Sequence, residues 1–262
     1  MLFESEAHKE GQVAISVRNL NLIYKTTVQK KPTFRQALTR TGRKIRTVNA
    51  LTDLNLEIPY GSVLGVIGAN GAGKSSLMRV VAGIVPPTAG RVEVYGQVST
   101  LLSLGVGFNS RLTGRENVIL GGLAAGLTKS EIEDQFSAIA DFADIGEAID
   151  SPMKTYSAGM YSRLAFAVAV VVEPDVLIVD EALSTGDAKF KKKSLEKIKT
   201  LRGENRAIIL VSHALATIKE ICNDVIWLDK GNIVMRGNPD EVVAAYKESL
   251  QVAKSSSADE DL

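Results

Sequence analysis

Gly68-Ala69-Asn70-Gly71-Ala72-Gly73-Lys74-Ser75 is the stretch on which the fold turns. It matches the P-loop (Walker A) pattern, whose glycines free successive backbone N–H groups to wrap phosphate oxygens at the N-terminus of a helix. The flanks agree with it. Residues 63–67 are a short, almost wholly apolar run suited to a buried strand, and residues 74–82 follow a helical pattern. In this layout Gly68, Asn70, Gly71 and Gly73 shape the phosphate cradle, Lys74 neutralises the β- and γ-phosphates, and Ser75 ligates Mg²⁺ with Ser76 beside it. ATP and Mg²⁺ are the expected ligands. A glycine-rich turn with a surface lysine is the bland alternative, and the strand and helix on either side argue against it.

Further along, residues 176–179 form another apolar strand that delivers Asp180 and Glu181 at its C-terminal end, where open α/β sheets place ligand chemistry. Asp180 suits the water-mediated Mg²⁺ role of a Walker B carboxylate, and Glu181 suits a general base on the attacking water. An apolar strand ending in two acids is common. The P-loop upstream is what gives this one its meaning.

The remainder of the chain frames these two strands. Residues 13–17 alternate apolar and polar side chains, residues 51–58 do the same up to the Pro59-Tyr60-Gly61 turn, and together they predict an antiparallel start. From Thr113 to Val172, Ile132, Phe136, Ile139 and Ala140 recur at helical spacing and an alanine-rich helix follows, which predicts a helical subdomain. Residues 207–211 return to a central strand, with a Lys-rich helix at 188–201 before it; residues 225–228 and 233–235 flank a Lys-Gly-Asn turn, and Pro239 opens a last helix. The predicted organisation is one domain over residues 13–250, with a polar, disordered tail at 251–262.

Composition narrows the partners. With 31 basic and 30 acidic side chains the formal charge is +1, so no global field recruits nucleic acid. A single cysteine, Cys222, excludes an internal disulfide and a cysteine metal cluster, and fits a reducing compartment. The first residues lack the apolar core of a secretory signal, and the apolar run that includes 165–172 is far short of a membrane span. Any service to a membrane must pass through a partner.

Tyr156-Ser157-Ala158-Gly159-Met160 lies before the alanine-rich helix and upstream of Asp180. Here the chain resembles the ATP-binding-cassette (ABC) ATPases, whose signature, usually Leu-Ser-Gly-Gly-Gln, occupies that place; Tyr156, Ala158 and Met160 depart from it. The Ser157 hydroxyl and the Gly159 N–H at a helix N-terminus suit the γ-phosphate of an ATP held by a second copy of the chain. The resemblance implies an α/β fold with a RecA-like P-loop core, an antiparallel β subdomain and a helical subdomain. It also implies that Asp187 is the D-loop aspartate at the dimer interface, that His213 is a switch histidine touching the γ-phosphate, and that Tyr24 stacks on adenine. The family's glutamine between the P-loop and the helical subdomain is missing, and Ser103 or Leu104 stands in its place.

Leu-Gly-Val-Gly-Phe before Leu-Thr-Gly-Arg-Glu-Asn, the Tyr-Ser-Ala-Gly-Met signature and Asp-Glu-Ala-Leu-Ser-Thr-Gly-Asp together resemble the ATPases that export lipid-linked polysaccharides such as teichoic acids, O-antigens, capsules and galactan. Teichoic acid exporters look nearest, and the lack of a long C-terminal extension sets the chain apart from members with an added carbohydrate-binding domain. The resemblance implies a homodimeric ATPase on the cytoplasmic face of the membrane, bound to a separate multi-spanning subunit and driving a lipid-linked polysaccharide across. A soluble ABC-type ATPase would be expected to show two cassettes or a coiled-coil insertion. A P-loop kinase would leave the signature and Asp187 without a role. One stretch lies outside the pattern: residues 25–46 hold eight Lys or Arg and no acid, in a basic insertion at 25–47, read either as a solvated loop or helix or as a contact for anionic lipid.

Overall fold

The computed structural model describes residues 11–28, 44–101, 108–180 and 187–259. Strand β1 (Val13–Val28) and strand β2 (Lys44–Pro59) run antiparallel, and β1 also pairs with β4 (Ala89–Val94), giving a three-stranded sheet in the order β2-β1-β4. Their alternating residues Ile15, Val17, Leu20, Leu51, Leu54 and Ile58 are buried, as a half-covered sheet requires. Both strands outrun the segments that alternation marks. The ladder continues through Lys25 opposite Thr47 to Val28 opposite Lys44, so the described ends of the basic insertion are paired strands, not a loop or helix. Thr26, Thr27, Val28, Ile45, Thr47 and Val48 are β-branched, which favours that extension despite the charge.

The second sheet is centred on β3 (Val63–Ile67). Its order is β5 (Val98–Thr100), β6 (Val176–Asp180), β7 (Ala207–Val211), β3, β8 (Asp224–Asp229) and β9 (Asn232–Gly237). The first five pair in parallel, and β9 returns antiparallel to β8. Period-two alternation splits the strands between two cores. Leu64, Val66, Ile209, Val211 and Ile226 face the antiparallel sheet and helix α1 (Lys74–Val81). On the other face Leu177, Val179, Ile208 and Leu210 lie under α4 (Ala158–Val171), α5 (Ala188–Gly203) and α6 (Leu215–Ile221).

Helices α2 (Gly114–Ala124), α3 (Lys129–Ala143) and α4 share a third core built on Val118, Ile132, Ile139, Leu164 and Val168. Capping boxes open the first two: Thr113 with Glu116, and Thr128 with Glu131. Helix α7 (Pro239–Asp259) corrects one expectation. The polar stretch from Gln251 to Asp259 continues as helix where composition predicts a disordered tail, because no glycine or proline follows Pro239 to stop it. Among the described residues no helix is long and apolar enough to cross a membrane.

Candidate nucleotide site

The sheet order decides which strand ends meet. In register, Val66 of β3 and Asp180 of β6 both lie opposite Val211 of β7. The P-loop that leaves β3 and the carboxylate that ends β6 therefore stand about two strand spacings, roughly 10 Å, apart. His213, two residues beyond Val211, leaves β7 between them and is exposed. Strand, loop and helix are contiguous in the sequence, but this convergence comes from pairing across more than a hundred residues.

The loop is held by close packing from behind. A Cβ on Gly68 would overlap the Leu228 carbonyl oxygen, and one on Gly73 would lie 2.7 Å from the Ala50 carbonyl oxygen. Gly73, with φ +109°, is also the N-cap of α1, and no side chain caps that helix. As at any helix start, its first-turn N–H groups make a site that suits an anion, and no acidic side chain sits in that turn to repel one. Lys74 is 8% exposed and its Nζ donates to the carbonyl oxygens of Gly68 at 2.8 Å and Ala69 at 3.0 Å. An ammonium buried in the loop's own backbone is well placed to meet phosphate charge.

A pocket of about 280 Å³ opens on this loop, lined at one end by Asn70, Gly71, Lys74, Ser75 and Ser76 and at the other by Tyr24 and Val48. Tyr24 and Val48 are cross-strand partners, so both side chains lie on one face of the hairpin. Val48 is 45% exposed, and it is a pocket residue that the motif reading missed. The signal was there: Val48 falls on the alternation of β2, but its pairing with Tyr24 depends on a register set elsewhere. An apolar end and a phosphate-cradling end fit a nucleotide. Ser75 and Asp180 offer the hard oxygen donors that suit Mg²⁺.

The signature residues stand apart from this pocket. Ser157 is the N-cap of α4, its Oγ accepting from the Met160 N–H at 3.2 Å, and it is exposed. Gly159 is the second residue of the helix, in ordinary helical conformation, and among the described residues a Cβ there would meet nothing nearer than Ser157 Oγ at 3.8 Å. Asp187 caps α5 by accepting from the Phe190 N–H at 2.8 Å, and it pairs with Arg163 of α4 at 2.6 Å. These contacts, the Phe190 N–H foremost, hold its carboxyl below the usual carboxylate range. The carboxylate of Asp187 is thus turned onto its own subunit, and Arg163, 17% exposed and also donating to the Asp144 carbonyl at 3.0 Å, ties the signature helix to α5. Nothing in the motif pattern marked Arg163. Glu181, Ser103 and Leu104 lie outside the described residues.

A parallel sheet with a glycine cradle at its central strand and a three-helix subdomain defines a P-loop α/β nucleotide-binding fold. The ABC transporter family model matches residues 51–184, and this chain belongs to that family. It is 43% identical over 219 residues to the O-antigen export system ATP-binding protein RfbB of Myxococcus xanthus, covering 84% of this chain and 50% of the relative. Over 211 residues it is 43% identical to the teichoic acids export ATP-binding protein TagH of Shouchella clausii, covering 80% of this chain and 58% of the relative. The chain thus spans little more than half the length of these curated relatives. Among solved structures, a dimeric ATP-binding cassette in a post-hydrolysis state bound to ADP and Pi superposes with a TM-score of 0.70 at 20% identity, over 86% of this chain and 98% of that one.

Proposed function

We propose that this chain is the ATP-binding and ATP-hydrolysing subunit of an exporter of lipid-linked polysaccharide, a teichoic acid, O-antigen or similar glycopolymer. It works as a nucleotide-sandwich dimer on the cytoplasmic face of the membrane, bound to a separate multi-spanning subunit. Gly159 carries the dimer reading. Glycine inside a helix costs about 0.5–1 kcal/mol relative to alanine, and among the described residues neither the backbone angles nor the surroundings of Gly159 call for it. A reason from outside the subunit remains: a partner's triphosphate approaching the α4 tip, where a Cβ would keep the γ-phosphate away from the N–H groups. The polymer class follows from the export systems named for the two relatives.

In this reading adenine stacks on Tyr24 beside Val48, and the phosphates lie along Gly68 to Ser76. Lys74 leaves the loop carbonyls for the β- and γ-oxygens. Ser75 and Asp180 would hold Mg²⁺, which supplies charge neutralisation at the triphosphate. Glu181 takes a proton from the attacking water as its oxygen bonds to the γ-phosphorus; the bond from that phosphorus to the bridging oxygen breaks, releasing ADP and phosphate. His213 and the partner's signature tip steady the γ-phosphate. Because the contacts from the partner's tip exist only in the closed dimer, ATP favours closure and ADP does not.

The test is the oligomeric state of Glu181→Gln by light scattering with ATP and with ADP. A dimer with ATP alone is expected, and Ser157→Ala in that background should return it to monomer. A Glu181→Gln variant that turns over ATP at the wild-type rate would contradict the assigned base. Accumulation of a lipid-linked glycan on depletion of the protein would identify the polymer.

A further inference from the structure

The first signature position carries a tyrosine where the resemblance has leucine, and the structure gives that tyrosine a partner. The Tyr156 hydroxyl donates to the Ala148 carbonyl at 2.7 Å and lies against Gly114, the first residue of α2. Gly114 is buried, and a Cβ on it would overlap that hydroxyl and lie 2.9 Å from the Ile149 carbonyl oxygen. The hydroxyl therefore occupies a notch that exists because residue 114 has no side chain. A leucine could not make the bond to the Ala148 carbonyl.

The notch is itself rigid. Thr113 and Pro152 form a β-bridge beside it, and Gly114 N–H reaches the Ser151 carbonyl at 3.3 Å. Asn117, fully buried one turn into α2, donates to the carbonyls of Asn109 at 3.0 Å and Thr113 at 2.8 Å, and its Oδ1 accepts from the Asn109 N–H at 2.7 Å. Tyr156 is the residue immediately before the Ser157 N-cap. Its hydroxyl thus fixes the entry into α4 against the start of α2, leaving little freedom in the direction that Ser157 and Gly159 face.

We infer that Tyr156 is a positioning residue for the nucleotide sandwich: seated in the Gly114 notch, it aims the Ser157–Gly159 helix tip at the partner's triphosphate. This rests on the proposed dimer. Tyr156 lies outside the pocket on the P-loop, and the loss of its hydroxyl removes the bond to the Ala148 carbonyl and leaves the Gly114 notch partly empty, so the tip loosens while the P-loop does not.

The experiment uses the full chain with Tyr156→Phe, Gly114→Ala and Gly114→Ala/Tyr156→Leu, and with Ser157→Ala as reference, each in the Glu181→Gln background. Light scattering gives the ATP concentration at half-dimerisation, and a fluorescent ATP analogue gives the affinity of the monomer. Tyr156→Phe is expected to raise the dimerisation half-point on the order of tenfold with monomer affinity unchanged. In the hydrolysing chain the same change should raise KM for ATP while kcat at saturation stays near wild type. Gly114→Ala should do at least as much, and adding Tyr156→Leu should recover part of the loss by emptying the notch. A Tyr156→Phe half-point equal to that of the Glu181→Gln parent, while Ser157→Ala stays monomeric, overturns the positioning role alone. If Ser157→Ala dimerises normally, the sandwich itself falls and this role with it. Should Gly114→Ala fail to fold, Tyr156→Phe decides the matter.

Discussion

Gly159 separates stability from function at a single atom. An added methyl there overlaps nothing among the described residues and improves helix propensity, so Gly159→Ala is expected to leave the melting temperature unchanged or raise stability by about 0.5–1 kcal/mol. ATP-driven dimerisation should fall steeply in the same variant. Thermal unfolding beside light scattering reads both, and normal dimerisation would remove the main support for the sandwich. Lys74 makes the complementary case. Its ammonium is buried among loop carbonyls, and Lys74→Ala is expected to abolish binding of a fluorescent ATP analogue while circular dichroism stays native. Both residues belong to motifs visible in the sequence. The 45% exposure of Val48 and the pairing of Asp187 with Arg163 do not, since each depends on a partner strand or helix elsewhere in the chain.

At the scale of elements, helix starts are where local sequence and tertiary contact meet. Thr128 and Glu131 close a capping box on α3, and the Glu131 carboxyl is held below its ordinary range by the Thr128 hydroxyl and N–H. A depressed carboxyl adds stability that is complete above its unfolded pKa, near 4.3, and is lost as pH falls through the lower folded value. Glu116 on α2 behaves alike through Thr113. Below about pH 4 the amides of the α2 and α3 first turns should therefore exchange faster than those of β3 and β7, as hydrogen exchange against pH will show. Thr128→Ala removes the cap directly and should cost about 1 kcal/mol, seen as a melting temperature lower by about 2–4 °C. These caps are legible as Thr-x-x-Glu. The tie from Arg163 to Asp187 is not, because only the packing of α4 against α5 brings the two within 2.6 Å.

For the whole molecule, the pocket lies on a seam. Tyr24 and Val48 come from the antiparallel sheet and the P-loop from the parallel one, joined where Gly231 donates to the Ala72 carbonyl at 2.9 Å and accepts from the Thr52 N–H at 2.8 Å. A nucleotide in that pocket would bridge both sheets, so ATP is expected to raise the melting temperature of the whole chain in one cooperative transition. Linkage sets the scale at about 2.7 kcal/mol when ATP is a hundredfold above Kd, and Lys74→Ala should show no such rise in differential scanning calorimetry.

Some of this protein was determined by the sequence alone: the phosphate loop with its strand and helix, the acidic end of β6, the capped helices, and the alternation of the first sheet. Those features are contiguous, and backbone sterics and side-chain period decide them within a dozen residues. Tertiary structure alone decided that Val66 and Asp180 share a register partner in Val211, that Val48 joins Tyr24, that the basic insertion begins as a ladder, and that Tyr156 fills the space Gly114 leaves. Each is a meeting of segments distant along the chain. Such meetings are selected by strand pairing and close packing across the cores, and no local propensity encodes them.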